Sequence, residues 1–189
     1  MTTSVIQNPE LKLIDEFLAR SSRPCSHRNM TFKFCPRCAH PLGDFIHNGE
    51  PRKGCTVEAC GFVHYDNPTP VVAAIVELNA HVILVQNHGW PTDWFGLVTG
   101  FLESKEEPEA GVLREVREEL GLDADLVGLV GVYGFDAMNQ VIIAYHVRAQ
   151  GHIQLGAELA AYKAVPIHRL KPWPFATGLA VRDWLANRA

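Results

Sequence analysis

Three glutamates, Glu115, Glu118 and Glu119, fall within five consecutive positions of the segment PEAGVLREVREEL, residues 108 to 120. Like charges one helical turn apart repel each other, so this segment holds a helix only if something outside it takes up the charge. The pattern is helical all the same. Pro108 suits a first helical position, where its missing N–H would have no partner anyway, and Gly121 suits a C-terminal cap. At ~100° per residue, Leu113, Val116 and Leu120 share one face and the three acids lie within an arc of about 100° on the opposite side. Gly111 stands on the acidic side at a cost of ~1 kcal/mol relative to alanine, which predicts that something bulky approaches the helix there. Three carboxylates on one arc are hard oxygen donors of the kind that bind Mg²⁺ or Mn²⁺ together with substrate phosphates. The competing reading is a solvated acidic face balanced by Arg114 and Arg117.

The wider spacing favours the metal. Gly100 is followed after five residues by Glu106, and after seven more by REVREELGL from Arg114 to Leu122. This fits the pattern G-x5-E-x7-R-E-U-x-E-E-x-G-U, with Val116 and Leu122 at the bulky aliphatic positions, and the chain therefore resembles the Nudix hydrolases. The resemblance implies an α/β fold, a Nudix α/β/α sandwich, with a loop-helix-loop motif and Mg²⁺- (or Mn²⁺-) dependent hydrolysis of a diphosphate linked to another moiety. It also implies roles. Glu115 and Glu119 are the direct metal ligands, Glu118 is a third ligand or acts through water, and the Gly100 carbonyl is a further ligand. Arg114 orients the acids, Glu106 fixes the loop, and Glu103 faces the same region as a substrate-side acid. Glu158, in LGAELAAYKAVP, is the candidate ligand or proton acceptor beyond the motif, with Glu118 the alternative; a surface acid in a loop is the competing reading for Glu158. Such residues suit the chemistry because a diphosphate repels nucleophiles until its charge is neutralised, and a carboxylate can then take the proton of the attacking water.

A second constellation precedes the first. Cys35 and Cys38 are separated by two residues, Cys55 and Cys60 by four, and sixteen residues lie between the pairs. Four thiolates on two knuckles suit a tetrahedral structural Zn²⁺ with no open position, which would order a segment that has little apolar periodicity. Cys25 and His27 stand ahead of it as reserve ligands, and His40 and His64 are close neighbours. An odd total of five cysteines fits a reducing compartment better than a disulfide framework.

The rest of the chain reads as mixed strands and helices. PELKLIDEFLAR, residues 9 to 20, has helical spacing behind Asn8. VVAAIVEL (71 to 78) and HVILVQN (81 to 87) read as a hairpin turning at Asn79 and Ala80. Further strands are expected at 94 to 101, 125 to 135, 139 to 148 and 161 to 166, and a final helix at 176 to 188. The expected organisation is an N-terminal helix and linker over 1–32, a small zinc ribbon over 33–66 and a Nudix domain over 67–189. The apolar runs are far shorter than the ~20 residues of a membrane span, and the N-terminus lacks an apolar signal core, so no membrane is expected and the cytoplasm is the expected compartment. A net charge of -4 argues against a nucleic-acid partner.

A zinc ribbon followed by this motif resembles the NADH pyrophosphatase branch and a related group acting on FAD or ADP-ribose-like compounds, and by resemblance implies a homodimer. One departure bears on substrate. Those enzymes carry an SQPWPFPxS-type array soon after the motif, whereas this chain has GVYGFDAMNQ (131 to 140) there, and its KPWPFATG (171 to 178) lies far downstream. Tyr133, Phe135, Trp90 and Trp94 are aromatic candidates for stacking a base, with Phe135 and Tyr133 foremost and core packing the competing reading. The expected function is release of a nucleoside monophosphate from a dinucleotide or nucleoside diphosphate derivative such as NADH, FAD or ADP-ribose. The alternatives are removal of a nucleotide cap from RNA and a non-catalytic nucleotide-sensing module.

Overall fold

The computed structural model describes residues 32–188. The expected helix at 9 to 20, Cys25 and His27 lie outside the described residues. Two compact units divide at Pro68 and Thr69.

In the first unit, β1 (Leu42–His47), β2 (Glu50–Cys55) and β3 (Val63–His64) form an antiparallel sheet in that order. The β1–β2 turn is Asn48-Gly49, both at positive φ (52° and 86°), the backbone that a two-residue hairpin needs and that this dipeptide tolerates best. Among the described residues of this unit, Cys35 is the buried hydrophobic side chain. β3 has only two residues, and Asp66 takes φ 54° before the next strand begins at Thr69.

The second unit is a mixed sheet between two helices. Its strands are β4 (Thr69–Leu78), β5 (His81–Asn87), β6 (Val98–Phe101), β7 (Asp123–Phe135), β8 (Gln140–Gln150) and β9 (Leu159–Pro166), in the order β7-β8-β4-β5-β9, with β6 also pairing with β4. The β4–β8 pair is parallel and the others are antiparallel. The run Val71 to Val76 is buried throughout, because alternate residues face opposite layers. Val72, Ala74 and Val76 pack with Val112, Val116 and Leu120 of helix α1 (Pro108–Leu120). Val71, Ala73 and Ile75 pack with Ala180, Val181 and Trp184 of helix α2 (Thr177–Ala186). This is the α/β/α sandwich expected from the sequence. The expected strand at 94 to 101 is shortened at its start, because the Trp94 N–H bonds back to the Pro91 carbonyl and Gly96 exchanges hydrogen bonds with Val85 instead. Among the described residues no helix is long and apolar enough to cross a membrane.

Phe135 ends β7 inside the α2-side core, 8% exposed and stacked on Phe175 with ring centroids 6.5 Å apart. Phe135→Ala is therefore expected to destabilise this unit by about 3–5 kcal/mol, read by chemical denaturation.

Candidate active site

Helix α1 starts at Pro108 and ends on Gly121, which takes φ 63° and donates its N–H to the Arg117 carbonyl. Its buried seam is Val112, Val116 and Leu120, with Leu113 half-buried. Val112 was not part of the expected apolar face, since Leu113 answers the same helical spacing. Gly111 is buried, and a Cβ there would meet Glu106 Oε2 and Leu102 Cδ1, each at 3.0 Å. The bulky neighbour expected beside Gly111 is thus the loop that precedes the helix.

Arg114 holds that loop to the helix. Its Nε and Nη2 donate to the two oxygens of Glu106 at 2.8 and 3.0 Å, Nη2 also donates to the Phe101 carbonyl at 3.2 Å, and Nη1 donates to Glu115 at 2.6 Å and Glu118 at 3.0 Å. A planar guanidinium can serve a carboxylate in this two-pronged way and a lysine cannot. Glu106 also accepts the Glu103 N–H at 3.0 Å, and the Arg114 hydrogen bonds, with that N–H, hold its carboxyl down at about 2. Arg114 is held still more firmly protonated, first by Glu106. Glu103 meets this loop through its backbone, and its side chain is exposed.

The acids lie against β6. Glu115 presses its carboxylate onto Gly100, where any Cβ would collide with it. Burial raises its pKa against the pull of Arg114. Glu119 is 7% exposed, and its Oε2 is buried with no hydrogen-bond partner. Burial foremost, and then the charges of Glu115, Glu158 and Glu118, push its carboxyl up to about 8. A buried carboxylate oxygen without a donor is costly, and three neighbouring negative charges add to that cost. A hard divalent cation would offset both terms at once, so the donor set fits Mg²⁺ or Mn²⁺. The linkage has a definite sign. In the fold Glu119 binds its proton more tightly than an ordinary carboxyl near 4.5, so its contribution to stability is present at low pH and is lost as pH rises through about 8. With no Mg²⁺ added, the melting temperature is expected to fall between pH 5 and 8, and added Mg²⁺ to raise it more at pH 8 than at pH 5. Differential scanning fluorimetry reads both.

Glu158 reaches this site through a feature that its sequence does not advertise. The segment before β9 folds over the end of α1: the Gln154 N–H bonds to the Leu120 carbonyl and the Gly156 N–H to the Glu119 carbonyl, both at 2.8 Å. Gly156 lies so close to the helix that a Cβ would collide with the Glu118 carbonyl. These contacts satisfy orphan carbonyls at the helix end and bring the exposed Glu158 within electrostatic reach of Glu119. The need for glycine at 156 comes from this packing against α1 and leaves no local mark in the sequence. Tyr133 and Phe135 belong instead to the α2 layer: the Tyr133 hydroxyl donates to Asp183 at 3.0 Å, and the Phe135 ring is taken up by core packing. A base platform needs an open ring face, and Phe135 does not offer one.

In the first unit the sulfurs of Cys35, Cys38, Cys55 and Cys60 all lie within 4.8 Å of one another. The Arg37 and Val57 N–H groups donate to the sulfurs of Cys35 and Cys55, each at 3.4 Å, as knuckle backbones do around thiolates. A short helical turn, Glu58–Cys60, closed by the Cys60 N–H on the Val57 carbonyl at 2.9 Å, absorbs the two extra residues of the second pair. His40 is exposed and meets the Cys38 carbonyl through Nδ1 at 3.0 Å, outside the sulfur cluster.

Comparison with known proteins agrees with this geometry. Residues 67–183 match the NUDIX domain. Among curated proteins, the NAD-capped RNA hydrolase NudC of Vibrio vulnificus is 25% identical over 119 residues, 63% of this chain and 44% of the relative. NudC of Vibrio cholerae is 29% identical over 116 residues, 60% of this chain and 42% of the relative. The chain spans about half the length of the curated relatives it matches. Among solved structures, a NUDIX hydrolase from Nitrosomonas europaea superposes with a TM-score of 0.69 at 24% identity, covering 83% of this chain and 92% of that one. An ADP-ribose pyrophosphatase from Streptococcus suis superposes at 0.54 with 21% identity, covering 65% and 94%. These two similarities concern the fold.

Proposed function

The chain belongs to the NUDIX domain family, and from that premise we propose that it is a divalent-metal-dependent pyrophosphohydrolase that cleaves the diphosphate of a dinucleotide or nucleoside diphosphate derivative. The observation that carries this reading is the buried, unpartnered Glu119 carboxylate beside Glu115 and Glu158. Glu115 and Glu119, with the Gly100 carbonyl and Glu118, would hold Mg²⁺ or Mn²⁺. When bound, the ion neutralises phosphoryl oxygens and lowers the pKa of the attacking water. Arg114 keeps Glu115 and Glu118 in register with the loop. Glu158 accepts the proton of the water as its oxygen attacks phosphorus, and the P–O bond to the bridging oxygen breaks to give a nucleoside monophosphate and a phosphorylated remainder. Cys35, Cys38, Cys55 and Cys60 of the first unit would hold a structural Zn²⁺, and four protein ligands would leave it no open position for chemistry. The assembly that goes with this reading is a homodimer in the cytoplasm; light scattering on the purified chain tests the dimer, and a monomer would refute it.

NADH, FAD and ADP-ribose-like compounds are the proposed substrates. A second reading, removal of a nucleotide cap from RNA by the same bond cleavage, is favoured by the names of the curated relatives, NAD-capped RNA hydrolases. The test is a panel of NADH, NAD⁺, FAD, ADP-ribose, dinucleoside polyphosphates and a 5′-NAD-capped oligoribonucleotide, assayed with Mg²⁺ and with Mn²⁺ and resolved by product. Release of a nucleoside monophosphate from a small diphosphate ester supports the first reading. Cleavage of the capped oligonucleotide alone would move the assignment to the second, and no cleavage in the panel would refute both.

A further inference from the structure

With Tyr133 and Phe135 taken up by the α2 layer, the base of a nucleotide substrate needs another partner, and the chain leading into β6 offers one. Leu97 packs in the α2-side core and Val98 in the α1-side core. Side chains alternate along an extended chain, so Gly96, Val98 and Gly100 all face the α1 side. The register agrees: Gly96 bridges Val85 and Gly100 pairs with Val72, and both partners belong to the α1-side core. Each glycine has a side chain from elsewhere lying over it. At Gly100 this is the Glu115 carboxylate; at Gly96 it is the indole of Trp90, whose Cη2 and Cζ3 stand 3.5 Å from where a Cβ would be. Four residues of extended chain separate the two, ~13 Å, a span that an extended nucleoside diphosphate can bridge.

The loop that carries Trp90 is held in place and tied to the acids. Its Trp90 N–H bonds to the Asn87 carbonyl at 3.2 Å and its Trp94 N–H to the Pro91 carbonyl at 3.0 Å. Gln86, 7% exposed, reaches into the loop from β5, and its amide donates to the Pro91 and Trp94 carbonyls at 2.7 and 3.3 Å. A buried amide satisfied in this way fixes backbone rather than filling a core. At the other end of the loop the His88 N–H bonds to the Glu158 carbonyl at 3.0 Å, so Trp90 and Glu158 are positioned by one short stretch of chain. Trp90 is half-buried, unlike the Phe135 ring.

We infer that Trp90 is a specificity residue: the base of the substrate stacks on its indole while the diphosphate lies on the acids of α1, so the site selects nucleoside diphosphate derivatives over diphosphates that lack a base. An indole offers a base a broad, flat, apolar partner. Every base has a π-face to stack, so Trp90 favours the presence of a base and leaves its identity to other contacts. The inference rests on the reading of α1 as a metal–diphosphate site.

The test uses the full chain with Mg²⁺ and two hydrolysis-resistant probes, α,β-methylene-ADP and methylenediphosphonate, titrated by isothermal titration calorimetry. The wild-type chain is expected to bind the nucleotide more tightly than the probe without a base. Trp90→Leu is expected to weaken the nucleotide about 10-fold, the loss of one stacked base, and to leave methylenediphosphonate unchanged. Trp90→Phe, which keeps a ring, is expected to restore most of the loss. In steady state Trp90→Leu should raise KM for the substrate preferred in the panel with kcat unchanged, because stacking is made equally before and during bond cleavage. Unchanged nucleotide affinity in Trp90→Leu, or an equal loss for both probes, would overturn the inference while leaving metal-dependent hydrolysis standing. Selective weakening of the nucleotide in a chain that cleaves nothing in the panel would uphold the inference and refute the proposed activity. No Mg²⁺-dependent binding of either probe by the wild-type chain would overturn both.

Discussion

Glu119→Gln is expected to remove metal-dependent hydrolysis while leaving the fold and the zinc content intact. The substitution keeps size and shape but deletes the charge that burial and three neighbouring acids make most costly. If that charge exists to bind a divalent ion, its loss forfeits several kcal/mol of transition-state stabilisation. At 1.36 kcal/mol per tenfold, that is a fall in kcat of about 10³-fold or more. The same change should flatten the pH dependence of stability, because Glu119 is the carboxyl raised to about 8. Activity lost together with a flattened melting profile separates a metal ligand from a residue that merely packs. Turnover close to wild type in this variant would sink the mechanism.

Gly100→Ala is expected to have the next largest effect, about 10²-fold in kcat. A methyl group at 100 would occupy space that the Glu115 carboxylate fills. Gly100 cannot retreat, since β6 is held in register with β4 through the Val72–Gly100 pair. Glu115 must therefore turn away from the site, and misplacement of a reacting group by ~1 Å can cost about 10²-fold. Gly96→Ala is the control. Its new methyl would meet only the Trp90 ring at 3.5 Å, an ordinary contact, so steady-state kinetics should remain near wild type.

Local physics was the legible part of both fold and site. The runs 71 to 78 and 81 to 87 read as paired strands because they are apolar and rich in β-branched residues, and Pro108 and Gly121 bracket the helix through backbone chemistry that any helix end imposes. Asn79-Ala80 was readable as a turn from its flanking strands, and both residues do take positive φ. Contacts between distant segments were not legible. Nothing near Val71 indicates that β4 runs parallel to β8 or shares its other edge between β5 and β6. Gly156 was invisible as part of the site because its need is created by the end of α1 lying against it. The helical wheel placed the acids opposite the apolar face, yet Glu119 is as buried as much of the core, since β6 and the 151–158 segment cover that side. Phe135 shows the same limit. An aromatic residue at a strand end reads alike whether its ring is open or stacked, and Phe175, forty residues on, decides which.

Mn²⁺ titration followed by electron paramagnetic resonance tests directly whether the carboxylates of α1 hold a divalent ion. At pH 8, with zinc retained, the wild-type chain is expected to remove the free-ion signal up to a defined stoichiometry. Glu158→Gln is expected to weaken binding modestly, and the Glu115→Gln/Glu119→Gln double variant to abolish it. Equal Mn²⁺ binding by the wild-type chain and the double variant would contradict the account.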